Sequence, residues 1–534
     1  MVLFLIHAVD EGKTIDHNYY IENCLKPVIK EIWKQRKSNG TKGIKLLHDN
    51  ARPHRHSDII DYSTEEGINI MPYPPYSSDL APCDYWLNDY IKRNLTDQPN
   101  EKSLQYHPIH DASTCLQPPS PFNESYSMIV LIGGTVYGLP NSTNTTPENV
   151  CTPRRKDVVI AAGKILVMMD PSKTASFIDS IRHSELTILP ISVEDQLIIP
   201  GLIDVHVHAI GGGGEQGPYS RTPESRLSEL IRGGLTTIVG VLGTDGVTRS
   251  LSSLLQKMKG LEHDGLTTWM WTGSYRIPMV TLTGSLQHDL LLIDKVIGAG
   301  ELALSDHRSS WPSKSDLVQL LSDARVAGML SGKIGVIHFH MGSAPTKIDL
   351  LWQILNETTI PIQHMYLTHM SSRGDDLIEE AKKWIKAGGM CDFTADADII
   401  NENATVDTLN KFRAEKLPLK QITVSSDAYG SLPTYDSSGR LVSYGMSLPD
   451  LTLRTIQTLV LKYSWPVEEA IQFSTSNPAT YLNLAGKGFL AEGYDADIVV
   501  LNQTDLTPLY VIGKGQILKT PTWTKRGMFE HISE

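Results

Sequence analysis

Between residues 200 and 430 of this 534-residue chain, histidines and carboxylates recur at the ends of short apolar runs. His206 and His208 close the run LIDVHVH. Glu301 opens ELALSDH, which leads through Asp306 to Arg308. His338 and His340 lie in GVIHFHM, His369 in HMYLTHM, and Asp427 closes QITVSSD. Imidazole and carboxylate ligands suit Zn²⁺, Mn²⁺ or Fe²⁺. At a spacing of two, His206 and His208 point to one face of a strand. His338 alternates onto the same face as His340 and is the weaker candidate of that pair. Each residue alone has a plain structural explanation, such as a core histidine or a helix cap. Their joint placement at the ends of separate runs favours a transition-metal site.

Such residues need a frame that gathers strand ends. Eight β-rich runs start near residues 202, 236, 267, 301, 335, 364, 389 and 421. Amphipathic helical stretches separate most of them, as in 224–234, 314–330 and 374–389. Thr222-Pro223 reads as a helix N-cap followed by proline. Eight strands alternating with helices predict an α/β fold, a (β/α)8 TIM-type barrel over 201–487. Chemistry in such a barrel sits where the strands end. Residues 128–200 and 488–534 carry further β-rich runs and predict a small β-sandwich built from both flanks.

Apolar residues make up 40% of the chain and charged residues 20%, as in folded globular proteins. The net charge of −12 disfavours a dedicated nucleic-acid binder, which needs a basic face. Five widely spaced cysteines form no CxxC motif and fit a reducing compartment. No run approaches the roughly 18 apolar residues of a membrane span. The start, MVLFLIHAVDEGK, lacks a basic region and a cleavage site. A cytoplasmic location is therefore expected.

The first 102 residues look unrelated to the rest, and 103–127, rich in Pro and Ser, read as a linker. Two strings mark this first piece: HDNARPH, with Asp49, and PPYSSDLAPCDYW, with Asp79 and Asp84. Together with the tail that follows, they make residues 1–105 resemble the catalytic domain of mariner-type transposases, which has an RNase H-like fold. Asp49 and Asp84 match two of that family's three metal-holding carboxylates. The first has no counterpart, and residues 1–102 hold 13 Lys+Arg against 15 Asp+Glu. An incomplete transposase remnant without nucleic-acid binding is expected.

The larger piece, about 128–520, resembles the amidohydrolase superfamily. Its strand-1 HxH, single histidines on strands 5 and 6 and aspartate on strand 8 are that family's ligand set. The strings IPGLIDVHVHAIGGGGEQGP, VGVLGTDG, WTGSYRIP, SDHRSS, HFHMG, LTHM, VSSDAYGS and GYDADIVVLN are similar to isoaspartyl dipeptidases. The resemblance implies hydrolysis of β-aspartyl dipeptides by a hydroxide held between two divalent ions, with zinc expected. His206, His208 and Asp427 would hold one ion, and His340 and His369 the other. Asp427 would be general base and acid, and Tyr275 would stabilise the oxyanion. Glu215 would meet the substrate ammonium, Arg308 a carboxylate, and Thr244 and Ser431 further substrate groups. Homo-oligomerisation is implied as well.

Two departures stand out. The family's metal-bridging residue on strand 4 is a carboxylated lysine, where this chain has Glu301 in a segment one residue longer. That extra residue predicts a β-bulge pushing the carboxylate inward. The family's second carboxylate-binding arginine is displaced by one position, to Arg373. The alternatives are an amidohydrolase acting on a cyclic amide or an N-acyl amino acid, and an inactive fusion descendant.

Overall fold

The computed structural model describes residues 126–530, apart from 141–152, 183, 185, 398–403 and 436–440, together with residue 26 and two short strands near the N-terminus. The chain divides into two compact units, Met1–Ile109 and His110–Glu534. In the first, β1 (Lys45–His48) pairs in parallel with β2 (Asn69–Pro72). Asp49, Asp79, Asp84 and the expected RNase H-like arrangement around them lie outside the described residues.

The second unit opens with β3 (Met128–Ile132), β4 (Thr135–Val136), β5 (Arg154–Arg155), β6 (Asp157–Ala161) and β7 (Lys164–Met169). The β-rich pattern here predicts strands alone, but a helix, Pro171–Ile181, follows, with proline in its first turn. Next come β8 (Ile188–Ser192) and β9 (Leu197–Pro200).

The chain then enters the barrel through β10 (Leu202–Val207), β11 (Leu235–Gly240), β12 (Thr267–Thr272) and β13 (Val296–Leu304). It continues through β14 (Val336–Met341), β15 (Met365–Thr368), β16 (Met390–Thr394) and β17 (Ile422–Ser425). These eight strands pair in sequence order, every pair parallel. A parallel bridge between Val207 and Ala428 joins the first strand to the chain leaving the last. A hairpin, β18 (Ser431–Tyr435) and β19 (Leu441–Met446), follows. Finally β20 (Ile498–Leu501), β21 (Pro508–Gly513) and β22 (Gln516–Lys519) return to the opening strands.

The terminal strands form two sheets, ordered β7-β6-β3-β8 and β22-β21-β20-β9-β4-β5. Ile129, Leu131, Val158 and Ile160 of the first pack against Ile198, Ile498, Val500 and Ile512 of the second. The second sheet therefore takes strands from both flanks of the barrel. In the barrel itself, strands are buried on both faces, as parallel sheets require. Ile203, Val205, Val239, Val241, Trp271 and Tyr366 form one cluster, and Leu235, Ile238, Met270 and Phe339 belong to another shared with the helices.

Two local expectations are corrected. Strand 4 is predicted to open at Glu301, yet β13 begins at Val296, because the glycines of VIGAG mask the buried Ile297 and Ala299 between them. Thr222-Pro223 does not cap a helix; the next helix is Leu227–Arg232. The Thr222 hydroxyl instead donates to the Tyr429 carbonyl at 2.6 Å and accepts from the Gly212 amide at 2.7 Å. It ties the glycine-rich loop to the segment after Asp427.

Candidate metal centre

His206 lies in β10 and His208 just beyond it, Glu301 within β13, and His340 within β14. His369 follows β15 and Asp427 follows β17, both in left-handed backbone, with φ 65° and 54°. All six are drawn to one end of the barrel. Glu301 stands between them. Its Oε1 lies 3.3 Å from His206 Nε2 and 3.5 Å from His208 Nε2. Its Oε2 lies 3.1 Å from His340 Nδ1 and 3.6 Å from His369 Nε2. Asp427 Oδ1 lies 3.0 Å from His208 Nε2 and 3.5 Å from His206 Nε2. One carboxylate thus presents each of its oxygens to a different pair of imidazoles.

The bulge expected at Glu301 is present. Gly300 pairs with His338 and Leu302 with Phe339, so Glu301 is the extra residue. Gly300 takes φ 154°, and a Cβ there would lie 2.5 Å from the His338 carbonyl oxygen. Close approach matters again beside His208, where a Cβ on Gly243 would lie 2.8 Å from the imidazole.

Charge balance in the cluster calls for cations. Burial opposes ionisation of Glu301, but the surrounding imidazoles, His206 first, hold its carboxyl well below the usual range. Asp427 behaves alike and falls to about 2. Burial disfavours a charged His206, yet Glu301 and Asp427 push its pKa up to about 10. Burial and the neighbouring His340 push His369 down to about 3. His206 Nε2, Glu301 Oε1 and Asp427 Oδ1 are buried without a hydrogen-bond partner. Buried polar atoms in that state are costly. The groups His206–His208–Glu301, Glu301–His340–His369 and His206–His369–Asp427 each bring their ligand atoms within 4.8 Å of one another. The donor set therefore fits divalent metal, with Glu301 common to two of the groups.

His338, the weaker candidate by periodicity, is built into the site's support. Its Nε2 lies 3.1 Å from His206 Nδ1. Its ring stacks on Trp271 at 5.1 Å and 17°. Burial and the neighbouring His206 keep His338 neutral, well below its ordinary pKa. This contact occupies His206 Nδ1 and leaves its Nε2 to face the carboxylates of Glu301 and Asp427. No sequence period reveals this contact, because it crosses the barrel interior.

The substrate-side residues meet next to this cluster. Glu215 accepts from Thr244 Oγ1 at 3.1 Å, Ser431 Oγ at 3.3 Å and Arg308 Nη1 at 3.3 Å. The Tyr275 hydroxyl lies 2.9 Å from His340 Nδ1, and the Arg308 guanidinium sits 5.0 Å from the Tyr275 ring centre. Burial and Glu301 raise the Tyr275 pKa well above its usual value, so its hydroxyl keeps its proton. The buried Arg249 donates to the carbonyls of Ile210, Gly212 and Thr222, bracing the glycine-rich loop. Arg373 stands apart. It is exposed and lines a cavity of about 380 Å³ with Lys347, Asp375 and Asp376. Among the described residues, no hydrogen bond joins it to the cluster.

Comparison with known proteins accords with this geometry. Residues 336–523 match the amidohydrolase family. A crystal structure of β-aspartyl dipeptidase from Fervidobacterium islandicum AW-1, in complex with β-Asp-Leu dipeptide, shares the fold at TM-score 0.68 and 39% identity. The alignment covers 75% of this chain and 98% of that one. The chain belongs to the amidohydrolase family. This amidohydrolase is also 23% identical to the dihydroorotase of Methanosphaera stadtmanae over 397 residues, 66% of this chain and 87% of that protein. Its N-terminal region matches the human histone-lysine N-methyltransferase SETMAR, a mariner transposase fusion, at 36% identity over 115 residues. That match spans 21% of this chain and 16% of SETMAR, and it supports a transposase fragment ahead of the amidohydrolase.

Proposed function

We propose that this amidohydrolase is a zinc-dependent dipeptidase that cleaves β-aspartyl bonds. The observation that carries the reading is the Glu215–Arg308 pair, 3.3 Å apart beside the metal-ligand cluster. A β-linked aspartate keeps its ammonium and carboxylate free on one carbon, close to the scissile carbonyl. Adjacent opposite charges suit that head group. An α-linked aspartate carries the two groups on different carbons and meets the same pair poorly.

Two divalent ions held by His206, His208, Glu301, His340, His369 and Asp427 would polarise the carbonyl and lower the pKa of water toward neutrality. The chain's own residues do the rest. Glu215, steadied by Thr244 and Ser431, receives the ammonium. Arg308 takes the α-carboxylate through Nη1, the nitrogen that faces Glu215, in a charge-assisted hydrogen bond. Tyr275 donates its hydroxyl hydrogen to the carbonyl oxygen as negative charge grows there. Asp427, ionised at neutral pH, accepts a proton from the attacking water and passes it to the departing amine. Arg373 remains at the rim for the carboxylate of the leaving residue. The exposed Val326, Met329 and Leu330 on one helix supply an apolar face for homo-oligomer assembly.

The test is hydrolysis of β-Asp-Leu against α-Asp-Leu, with and without a chelator. The reading expects turnover of the β isomer alone, abolished by the chelator. Equal turnover of both, or none of either, defeats it. A second reading, cyclic amide hydrolysis, draws on the dihydroorotase match. Turnover of dihydroorotate without turnover of β-Asp-Leu would favour it.

A further inference from the structure

Asp306 is a buried carboxylate just beyond β13 to which the mechanism above gives no task. Its Oδ2 lies 3.1 Å from His340 Nε2. The other ring nitrogen, Nδ1, faces the cluster, 3.1 Å from Glu301 Oε2. A hydrogen on Nε2 directed at Asp306 therefore leaves the Nδ1 lone pair toward the cluster. The same carboxylate takes two donors from Arg308, Nε to Oδ1 at 2.9 Å and Nη2 to Oδ2 at 3.1 Å. It also accepts the Arg308 backbone amide at 2.8 Å. Arg308 Nη2 and His340 Nε2 lie 3.1 Å apart and each lies 3.1 Å from Asp306 Oδ2; with the hydrogen on Nε2, they are two donors converging on one acceptor. With Nε and Nη2 engaged, Arg308 presents Nη1 to Glu215 and to whatever replaces that contact.

We propose that Asp306 is a positioning residue shared by the metal centre and the substrate-carboxylate site. It sets the tautomer and ring angle of His340, and it aims the guanidinium of Arg308. A single carboxylate thereby keeps the His340 side of the metal centre in register with the substrate's anionic group. This inference rests on the dipeptidase reading and adds a residue to it.

The test uses the full-length protein loaded with Zn²⁺, and follows zinc release to a chromophoric chelator alongside KM and kcat for β-Asp-Leu. Asp306→Asn keeps the size of the side chain and removes its charge. We expect one of the bound ions to be held about 10–100-fold more weakly, the other to be unaffected, and KM to rise. Arg308→Lys should raise KM while both ions stay tightly held. If Asp306→Asn does not fold by thermal melting, Asp306→Glu carries the same test, with a smaller loss at the same ion. Unchanged zinc affinity together with unchanged KM in the Asp306 variant overturns the inference alone. A wild type that binds no zinc overturns the proposed function and this inference with it.

Discussion

Glu301 shows what one side chain contributes when its two oxygens face different partners. His206 and His208 sit on one side, His340 and His369 on the other. The ligand-type residues were legible as a set because the histidines and Asp427 lie toward the ends of β-rich runs, with Glu301 opening another, and strand ends converge in a barrel. His338 was not, since alternation places it with His340 but cannot show that it reaches His206 across the interior. Arg373 marks another limit, because counting along a loop does not give the direction of a long exposed side chain. Tyr275 carries a prediction at this scale. Its hydroxyl keeps its proton and lies beside His340. Tyr275→Phe should lower kcat for β-Asp-Leu by about 10²–10³-fold, as loss of an oxyanion donor does, with little change in KM. An unchanged kcat would remove Tyr275 from the reaction.

At the scale of elements, the bulge in β13 and the loops after β10 and β11 do the positioning. The bulge was readable from one extra residue before the SDHR string. The start of β13 was not, because glycines carry no apolar signal. Gly300→Val would drive its Cβ against the His338 carbonyl, 2.5 Å away. It should destabilise the protein by roughly 1–3 kcal/mol and reduce bound metal, measured by thermal melting and metal content. The loop after β11 is clasped by Asp245, which accepts from Arg221 Nη1 at 2.9 Å and from the amides of Val247 and Thr248. Partial burial opposes its ionisation, but the Thr248 hydroxyl, these amides and Arg221 bring its pKa down to about 2. A carboxylate depressed in the folded state adds stability above its unfolded pKa, and loses it as pH falls through the folded value. The stability gap between wild type and Asp245→Asn should be constant near neutrality and shrink from about pH 4 to about pH 2. A gap independent of pH would contradict this account of the clasp.

For the whole molecule, composition and alternation sufficed to read a barrel flanked by a sandwich. The long crossover that brings β20 beside β9 was inferred only from β-rich runs at both flanks. Among the described residues, no helix is long and apolar enough to cross a membrane. The two compact units meet in sequence at Ile109 and His110, and the metal-ligand cluster lies wholly within the second. Removing residues 1–125 should leave β-Asp-Leu hydrolysis within about twofold, because a compact unit with its own core can fold by itself and every candidate metal ligand belongs to the second unit. Collapse of activity in the truncated chain would show that the first unit supports the barrel.

Metal content of the purified full-length chain tests the central claim most directly. Wild type should carry about two divalent ions per chain, as a paired carboxylate-bridged site requires, and Glu301→Ala should lose most of them while still folding. A wild type without bound metal, or a Glu301→Ala variant with the full complement, would contradict the account.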